Sequence, residues 1–254
     1  MKIRNSLKVV VLSLAVAMAI FAPSASAGVV GTLFTGSAGD VTVSLTSITW
    51  NTDSSSTPPG PPWNGEVASG TALTFFGCPG SCLVVGEGVE INNNLPLSPS
   101  SIPPLDFFLR FAAHSSLDFL LTSVSPGSAV ADCSLVVSVG QSCSVFAGSP
   151  IILTLQASGR TSASINFVGT ATDGGGGPAA NWVGGFTASI PSETPKQIQD
   201  FFCPAGSCTN TTGTISASNA GSFFATTVPE PGSLLLIGGG LIGFATLFRR
   251  RKKV

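Results

Sequence analysis

The chain has 254 residues, of which 9% are charged, and its formal net charge is −1 at pH 7. Of its 12 acidic and 11 basic side chains, one acidic and eight basic lie outside residues 28–227, which leaves that segment 11 acidic and 3 basic side chains and a net charge of −8. Because nucleic acids are bound by clustered Lys and Arg, this composition excludes a nucleic-acid partner.

The N-terminus has the order of features of a secretory signal peptide. Its basic residues come first, at Lys2, Arg4 and Lys8. An uncharged apolar run follows over 9–22. Ala25 and Ala27 are small residues of the kind that signal peptidase accepts, and they predict cleavage before Gly28. An uncleaved anchor is the alternative, but the run is shorter than the roughly 20 residues that span a bilayer. We therefore expect a signal helix in residues 1–27 that enters the general secretion machinery and is removed.

Cysteine usage agrees with export, because disulfides form in oxidising compartments. The sequence has 6 cysteines. Their spacing favours three local pairs: Cys78 with Cys82, Cys133 with Cys143, and Cys203 with Cys208. A zinc site built from the two short-spaced pairs is the alternative, although those pairs lie far apart and enclose loops of unequal length.

Apolar and polar residues alternate through much of the segment 28–226, as they do in half-buried strands. The predicted strands cover 41–46, 83–91, 117–124, 134–139, 151–155, 162–170 and 182–190. Proline-rich stretches at 57–62 and 96–104 predict surface loops, because proline lacks the N–H that a central strand donates. A glycine-rich stretch at 173–178 predicts a turn between the last two strands. The spacing predicts a mainly β, antiparallel β-sandwich-like domain.

One short helix is predicted near residue 195. Thr194 is a suitable N-cap, Pro195 suits the first helical position, and Gln197 completes a capping box. The apolar residues that follow share one face and are expected to pack on the sheet: Ile198, Phe201 and Phe202. Pro204 ends the helix.

The C-terminus carries three features in order. The motif Pro229-Glu230-Pro231 precedes an uncharged apolar run over 233–248. The basic cluster comes last and consists of Arg249, Arg250, Arg251, Lys252 and Lys253. A helix of the length of the run spans about 24 Å at about 1.5 Å per residue, close to the thickness of the bilayer core. Because a basic cluster resists translocation, we expect a transmembrane helix with its basic end in the cytoplasm.

This combination resembles the PEP-CTERM sorting signal of Gram-negative bacteria, over roughly the last 27 residues. The resemblance implies that an exosortase-type membrane protease cleaves near the Pro-Glu-Pro motif. It also implies an inner-membrane-anchored precursor, and then a mature protein at the cell surface or in the extracellular matrix, where exopolysaccharide is a candidate partner. A tail anchor that is never cleaved is the alternative. The chain then divides into a signal peptide (1–27), a secreted β-rich domain (28–226) and a sorting segment (227–254).

Catalytic patterns are weak in this sequence. A Ser-His-Asp arrangement would need His114, the only histidine, together with one of three acids: Asp106, Asp118 or Asp132. No Gly-x-Ser-x-Gly elbow supports it. Glu87 and Glu90 are a weak glycosidase pair. No dense acidic loop indicates calcium. We therefore expect no catalytic residues, metal or cofactor.

The sequence as a whole predicts an exported, C-terminally sorted protein with a structural or adhesive, non-enzymatic role. Two alternatives stay open. A carbohydrate-binding module would expose one of its tryptophans for stacking on sugar: Trp50, Trp63 or Trp182. A secreted hydrolase would bring carboxylates together, or a serine to His114.

Overall fold

The computed structural model describes residues 28–37, 40–45, 47–51, 63–76, 78, 80, 82–92, 95–96, 105–157, 159–175 and 179–227. The predicted signal helix and C-terminal transmembrane helix lie outside these residues. Within the described part of the chain, no helix is both long enough and apolar enough to cross a membrane.

The described residues form fourteen strands and one α-helix. In chain order the strands are β1 (Val30–Ser37), β2 (Val41–Ser44), β3 (Ser47–Trp50), β4 (Gly65–Val67), β5 (Ala72–Thr74), β6 (Gly88–Ile91), β7 (Leu95–Pro96), β8 (Leu105–Phe111), β9 (Asp118–Val124), β10 (Ser142–Ser144), β11 (Ile152–Leu155), β12 (Thr161–Thr172), β13 (Ala180–Ile190) and β14 (Thr214–Thr227). The helix is α1 (Pro195–Phe202), and short 3-10 turns cover Cys133–Leu135 and Pro204–Gly206.

Eight of these strands close into an antiparallel cylinder. Their order is β1, β14, β13, β12, β9, β8, β6 and β4, and β4 pairs again with β1. The longest members are β12, β13 and β14, with 12, 11 and 14 residues. Two extensions leave the cylinder: β11 and β10 continue from the first half of β12, and β2, β3 and β7 continue from the first half of β14.

The mainly β, antiparallel fold with one helix is confirmed, but the sandwich-like architecture is wrong. A sandwich would keep two sheets apart, whereas β13 pairs with both β12 and β14 along almost its whole length and joins them into one closed sheet. Side chains alternate in the same way in both architectures, so the sequence period does not separate them. Closure gives each of the eight cylinder strands a partner on both sides, so that β10 and β7, at the ends of the extensions, are edge strands.

A cluster of aromatic rings lies inside the cylinder. Phe108 and Trp182 stack with ring centroids 5.8 Å apart and an interplanar angle of 2°. Three other fully buried rings surround this pair: Phe119, Phe167 and Phe223. Trp182 Nε1 donates a hydrogen bond to the Thr170 carbonyl at 3.0 Å, so its one polar group is satisfied. Burial of such rings is the main stabilising contribution available to so uncharged a chain.

The helix is confirmed with its predicted capping box. Thr194 Oγ1 accepts from the Gln197 N–H, and Gln197 Oε1 accepts from the Thr194 N–H at 2.8 Å. Ile198 and Phe202 are buried as expected. Phe201, which was expected on the same face, is 40% exposed instead.

Three other local predictions need correction. Residues 134–139 form no strand; a 3-10 turn and a loop replace it. The strand predicted over 83–91 covers only Gly88–Ile91, because residues 84–87 form a turn closed by the Glu87 N–H donating to the Val84 carbonyl. Pro96 was expected in a loop but lies in β7, at the edge of the sheet, where proline is tolerated.

Candidate functional site at the end of the sheet where both termini leave

The cysteines predicted to pair are all disulfide-bonded. The bonds are Cys78–Cys82, Cys133–Cys143 and Cys203–Cys208, which are the three local pairs that the spacing favours. The zinc alternative is therefore wrong, because these sulfurs are already bonded to each other.

Most other predicted site residues lie outside the described part of the chain. These are Ala25 and Ala27 of the signal peptide, the Pro-Glu-Pro motif and the terminal basic cluster. Gly28, the expected first residue of the mature protein, is described and is buried.

The register of β1 and β14 places the two termini of the domain side by side. Gly31 lies opposite Ala225 in this antiparallel pair. β1 begins at Val30 and β14 ends at Thr227. The expected signal cleavage site and the sorting segment therefore join the domain at one end of the cylinder, which we call the exit end.

Three connections lie at the exit end. Residues 112–117 join β8 to β9, and residues 173–179 join β12 to β13 beside Thr227. The segment 75–87 follows β5, whose last residue, Thr74, lies opposite Val30. These connections are held together by two carboxylates.

The first carboxylate is Asp173, which is buried. Its Oδ2 accepts from the Phe76 N–H at 2.7 Å, and its Oδ1 accepts from the Gly175 N–H at 3.0 Å. The Phe76 ring lies directly on Gly175, where a Cβ atom would come within 2.2 Å of the ring. Asp173 thereby fixes Phe76 against the β12–β13 connection.

The second carboxylate is Glu87, whose side chain is 6% exposed. Its Oε1 accepts from the Ala113 N–H at 3.0 Å and lies 3.0 Å from His114 Nδ1. The His114 ring meets the Phe75 ring edge-on, with centroids 5.2 Å apart. The pair links the β8–β9 turn to the segment 75–87.

A carboxylate bonded to an imidazole is also the base half of a nucleophilic triad. Among the described residues, however, the hydrogen bond of His114 goes to Glu87, and no serine hydroxyl bonds to its ring. Asp132, one of the acids considered as a triad member, lies near α1 and accepts from the Ser134 N–H.

The two acids of the glycosidase hypothesis have separate partners. Glu90 forms an ion pair with Arg110, whereas Glu87 bonds to the β8–β9 turn. Within the described residues, no three His, Cys, Asp or Glu side chains cluster as metal ligands would.

The tryptophans do not form a sugar-stacking surface. Trp50, Trp63 and Trp182 are 1%, 8% and 0% exposed. The exposed tryptophan that was expected of a carbohydrate-binding module is therefore not found in this domain. Their rings belong to the core.

A different exposed surface lies on the outside of β12, β13 and β14. Asn166, Gly185 and Ser222 form one cross-strand row, and Val168, Val183 and Phe224 form the next. Because Gly185 has no side chain, a shallow depression lies between Asn166 and Ser222. Phe224 is 48% exposed beside it.

The same face continues as a row of hydroxyls. The row crosses five strands through Ser142, Thr154, Ser162, Ser189 and Ser218. Neighbours in such a row are about 4.8 Å apart, the spacing between strands. The outward positions of β12, β13 and β14 carry no charged side chain in the described residues. We call this surface the hydroxyl face.

The sequence comparisons concern the segment that begins where β14 ends. The family model for the PEP-CTERM protein-sorting motif matches residues 227–252. The C-terminal segment is a PEP-CTERM sorting motif. The resemblance noted in the sequence is confirmed, and the motif marks an exported protein whose precursor is sorted by an exosortase. No curated protein and no solved structure gives a significant match to the chain.

The sequence did not point to Phe76, Val84 and Val85, which are exposed near the exit end. The available signal was the absence of charge between Glu66 and Glu87. Only the register of β1, β5 and β14 shows that this stretch lies beside both termini.

Proposed function

We propose that the mature protein is a non-enzymatic structural or adhesive component of the cell surface or extracellular matrix. The observation that carries this proposal is the shared exit end. Both segments expected to be processed join there, so the opposite end of the cylinder points away from the membrane and its outer faces remain available for contacts. The carboxylates Glu87 and Asp173 and the imidazole of His114 all serve to hold loops together, which supports a scaffold rather than a catalyst.

Intact mass spectrometry of the protein from its host tests the export and sorting on which this proposal rests. Membrane and culture-medium fractions are measured separately. We expect released species that begin at Gly28 and end near Pro231. A matched variant, Pro229→Ala with Pro231→Ala, should remain in the membrane with Val254 as its last residue. A wild-type chain found only in the membrane and ending at Val254 would contradict the sorting step.

Carbohydrate binding is a second candidate, favoured by the hydroxyl face. The face offers uncharged donors and acceptors in rows, with one exposed aromatic ring beside a depression. Neutral glycans are recognised by this combination of hydrogen bonding and stacking on an apolar ring. A strongly acidic polysaccharide is disfavoured by the net charge of −8 over residues 28–227. Exopolysaccharide of neutral composition is the partner that fits.

A pull-down on insoluble neutral polysaccharide separates this candidate from a purely structural role. Phe224→Ala combined with Asn166→Ala should abolish retention. The matched control is Val85→Ala. Val85 is 64% exposed and precedes β6, which β8 and β9 separate from β12 and which β4 and β1 separate from β14. Equal retention of both variants, or no retention of the wild type, would rule out the hydroxyl face as a glycan site.

A further inference from the structure

Three exposed apolar side chains lie near the exit end. Phe76 is 61% exposed, Val84 is 68% exposed and Val85 is 64% exposed. The sequence between Glu66 and Glu87 carries no charge. Large apolar side chains that are exposed together within one short stretch are candidates for an interaction surface, because grouped apolar exposure marks such surfaces. We call these three side chains the apolar rim.

The apolar rim is held in place by the two carboxylates of the exit end. Phe76 is fixed by Asp173 and rests on Gly175, in the connection that leads into β13. The first residue of β13, Ala180, lies opposite Thr227. Val84 begins the turn that Glu87 closes, and Glu87 bonds to the β8–β9 turn. The rim therefore has a fixed position relative to the residue from which the sorting segment leaves.

The length of chain beyond Thr227 limits how far the rim lies from the membrane. Five residues, 228–232, separate Thr227 from the apolar run that begins at Ser233. Fully extended, the six steps from Thr227 to Ser233 span at most roughly 22 Å. While the tail is inserted, the exit end cannot move farther than this from the lipid surface.

We propose that the apolar rim docks the domain on the lipid surface of the membrane that holds its tail. This inference rests on the proposed function, because it requires the tethered precursor. The tether raises the effective concentration of the rim at the surface, so that three side chains suffice for contact. Aromatic and aliphatic groups partition into the interfacial region of a bilayer. Because the stretch that carries the rim is uncharged, docking does not depend on anionic lipid.

Docking also means that removal of the C-terminal tail changes how the domain contacts the membrane. In the precursor, the rim orients the exit end toward the lipid and the hydroxyl face sideways. After the tail is removed, the tether no longer supports the contact. Three side chains alone give weak, reversible membrane binding, and the domain leaves the surface.

Depth-dependent fluorescence quenching tests the proposal on the full chain. The purified precursor is reconstituted in phosphatidylcholine vesicles with and without brominated acyl chains. Phe76→Trp and Val84→Trp place an indole in the rim. Val137→Trp is the matched control, because Val137 is similarly exposed but belongs to the loop beside α1, where β12 begins. The unsubstituted chain supplies the signal of its buried tryptophans.

We expect brominated lipid to remove much of the added emission of Phe76→Trp and Val84→Trp and to leave that of Val137→Trp unchanged. The same loss is expected when anionic phosphatidylglycerol is added. Equal quenching at the three positions, or quenching only with anionic lipid, would overturn rim docking while leaving the tether intact. A chain that fails to float with the vesicles would overturn the tether itself, and docking with it.

Discussion

Gly31 and Ala225 lie directly opposite each other in the β1–β14 ladder. This pair fixes where the two ends of the domain lie relative to each other. Gly28, where signal cleavage is expected, and Thr227, where the sorting motif begins, lie at the same end of a closed sheet. The predicted membrane-anchored precursor would therefore be held at this one end of the domain.

Close packing around Gly169 predicts a strong effect of Gly169→Ala. A Cβ atom at this position would lie 2.0 Å from the Leu120 carbonyl oxygen and 2.5 Å from the Trp182 ring. Overpacking of this kind costs about 2–3 kcal/mol of unfolding free energy. Urea denaturation followed by tryptophan fluorescence measures it. The control is Gly36→Ala, whose nearest neighbours are Glu66 side-chain atoms at 3.5 Å and beyond. A loss of similar size in both variants would contradict the packing argument.

Gln199 is predicted to attach α1 to the loops around it. Its Oε1 accepts from the Cys133 N–H at 3.0 Å, and its Nε2 donates to the Ala131 and Val145 carbonyls at 2.7 and 3.0 Å. Gln199→Ala leaves these backbone groups without a partner, at a cost of about 2–3 kcal/mol. The effect should appear as a lower denaturation midpoint and faster amide exchange in α1.

The matched control for Gln199 is Lys196→Ala on the same helix. Lys196 forms an exposed ion pair with Asp200 one turn away. Such an exposed pair contributes about 0.5 kcal/mol or less to the free energy of unfolding. If Lys196→Ala destabilised the protein as much as Gln199→Ala, the helix rather than its hydrogen bonds to the loops would be the sensitive element.

We expect each disulfide to stabilise the fold according to the length of the loop that it closes: a longer loop gives a larger effect. Replacing Cys133 and Cys143 by Ser opens a loop with a sequence separation of 10, and replacing Cys78 and Cys82 opens one of 4. On the chain-entropy account the first costs about 3 kcal/mol and the second about 2 kcal/mol. Calorimetry of the two double variants measures the difference. A larger loss from the smaller loop would show that local contacts at the exit end, rather than chain entropy, dominate.

The charge of Asp132 is predicted to stabilise the loop at 133–143. Side-chain and backbone hydrogen bonds from Ser134 lower the pKa of Asp132 below its ordinary value of 3.8, and Lys196 adds to the effect. Because the folded-state pKa is the lower one, this contribution is present above pH 3.8 and is lost as the pH falls through the folded value. Asp132→Asn should therefore weaken the loop at pH 7 and match the wild type in strong acid. A difference that persists in strong acid would contradict this account.

The sequence by itself determined the elements that depend on local order. The capping box of Thr194 and Gln197, the three short-range disulfides and the sorting tail all follow from residues a few positions apart. Alternation also predicted β2, β6, β9, β11, β12 and β13 at least in part, because a period of two is visible in the chain alone, but it did not predict the other strands, including β1 and β14. It was wrong at 134–139, where Leu135, Val137 and Val139 alternate but remain exposed in a loop.

Only the tertiary structure decided how the strands pair and which distant residues come into contact. Closure of the cylinder depends on β13 pairing with two partners, and a period of two is the same in an open or closed sheet. The burial of Trp182 depends on which face of β13 turns inward. The contact of Phe76 with Asp173 joins residues 97 positions apart. Such contacts are set by strand register across the whole domain, and they cannot be predicted from residues that are close together in the sequence.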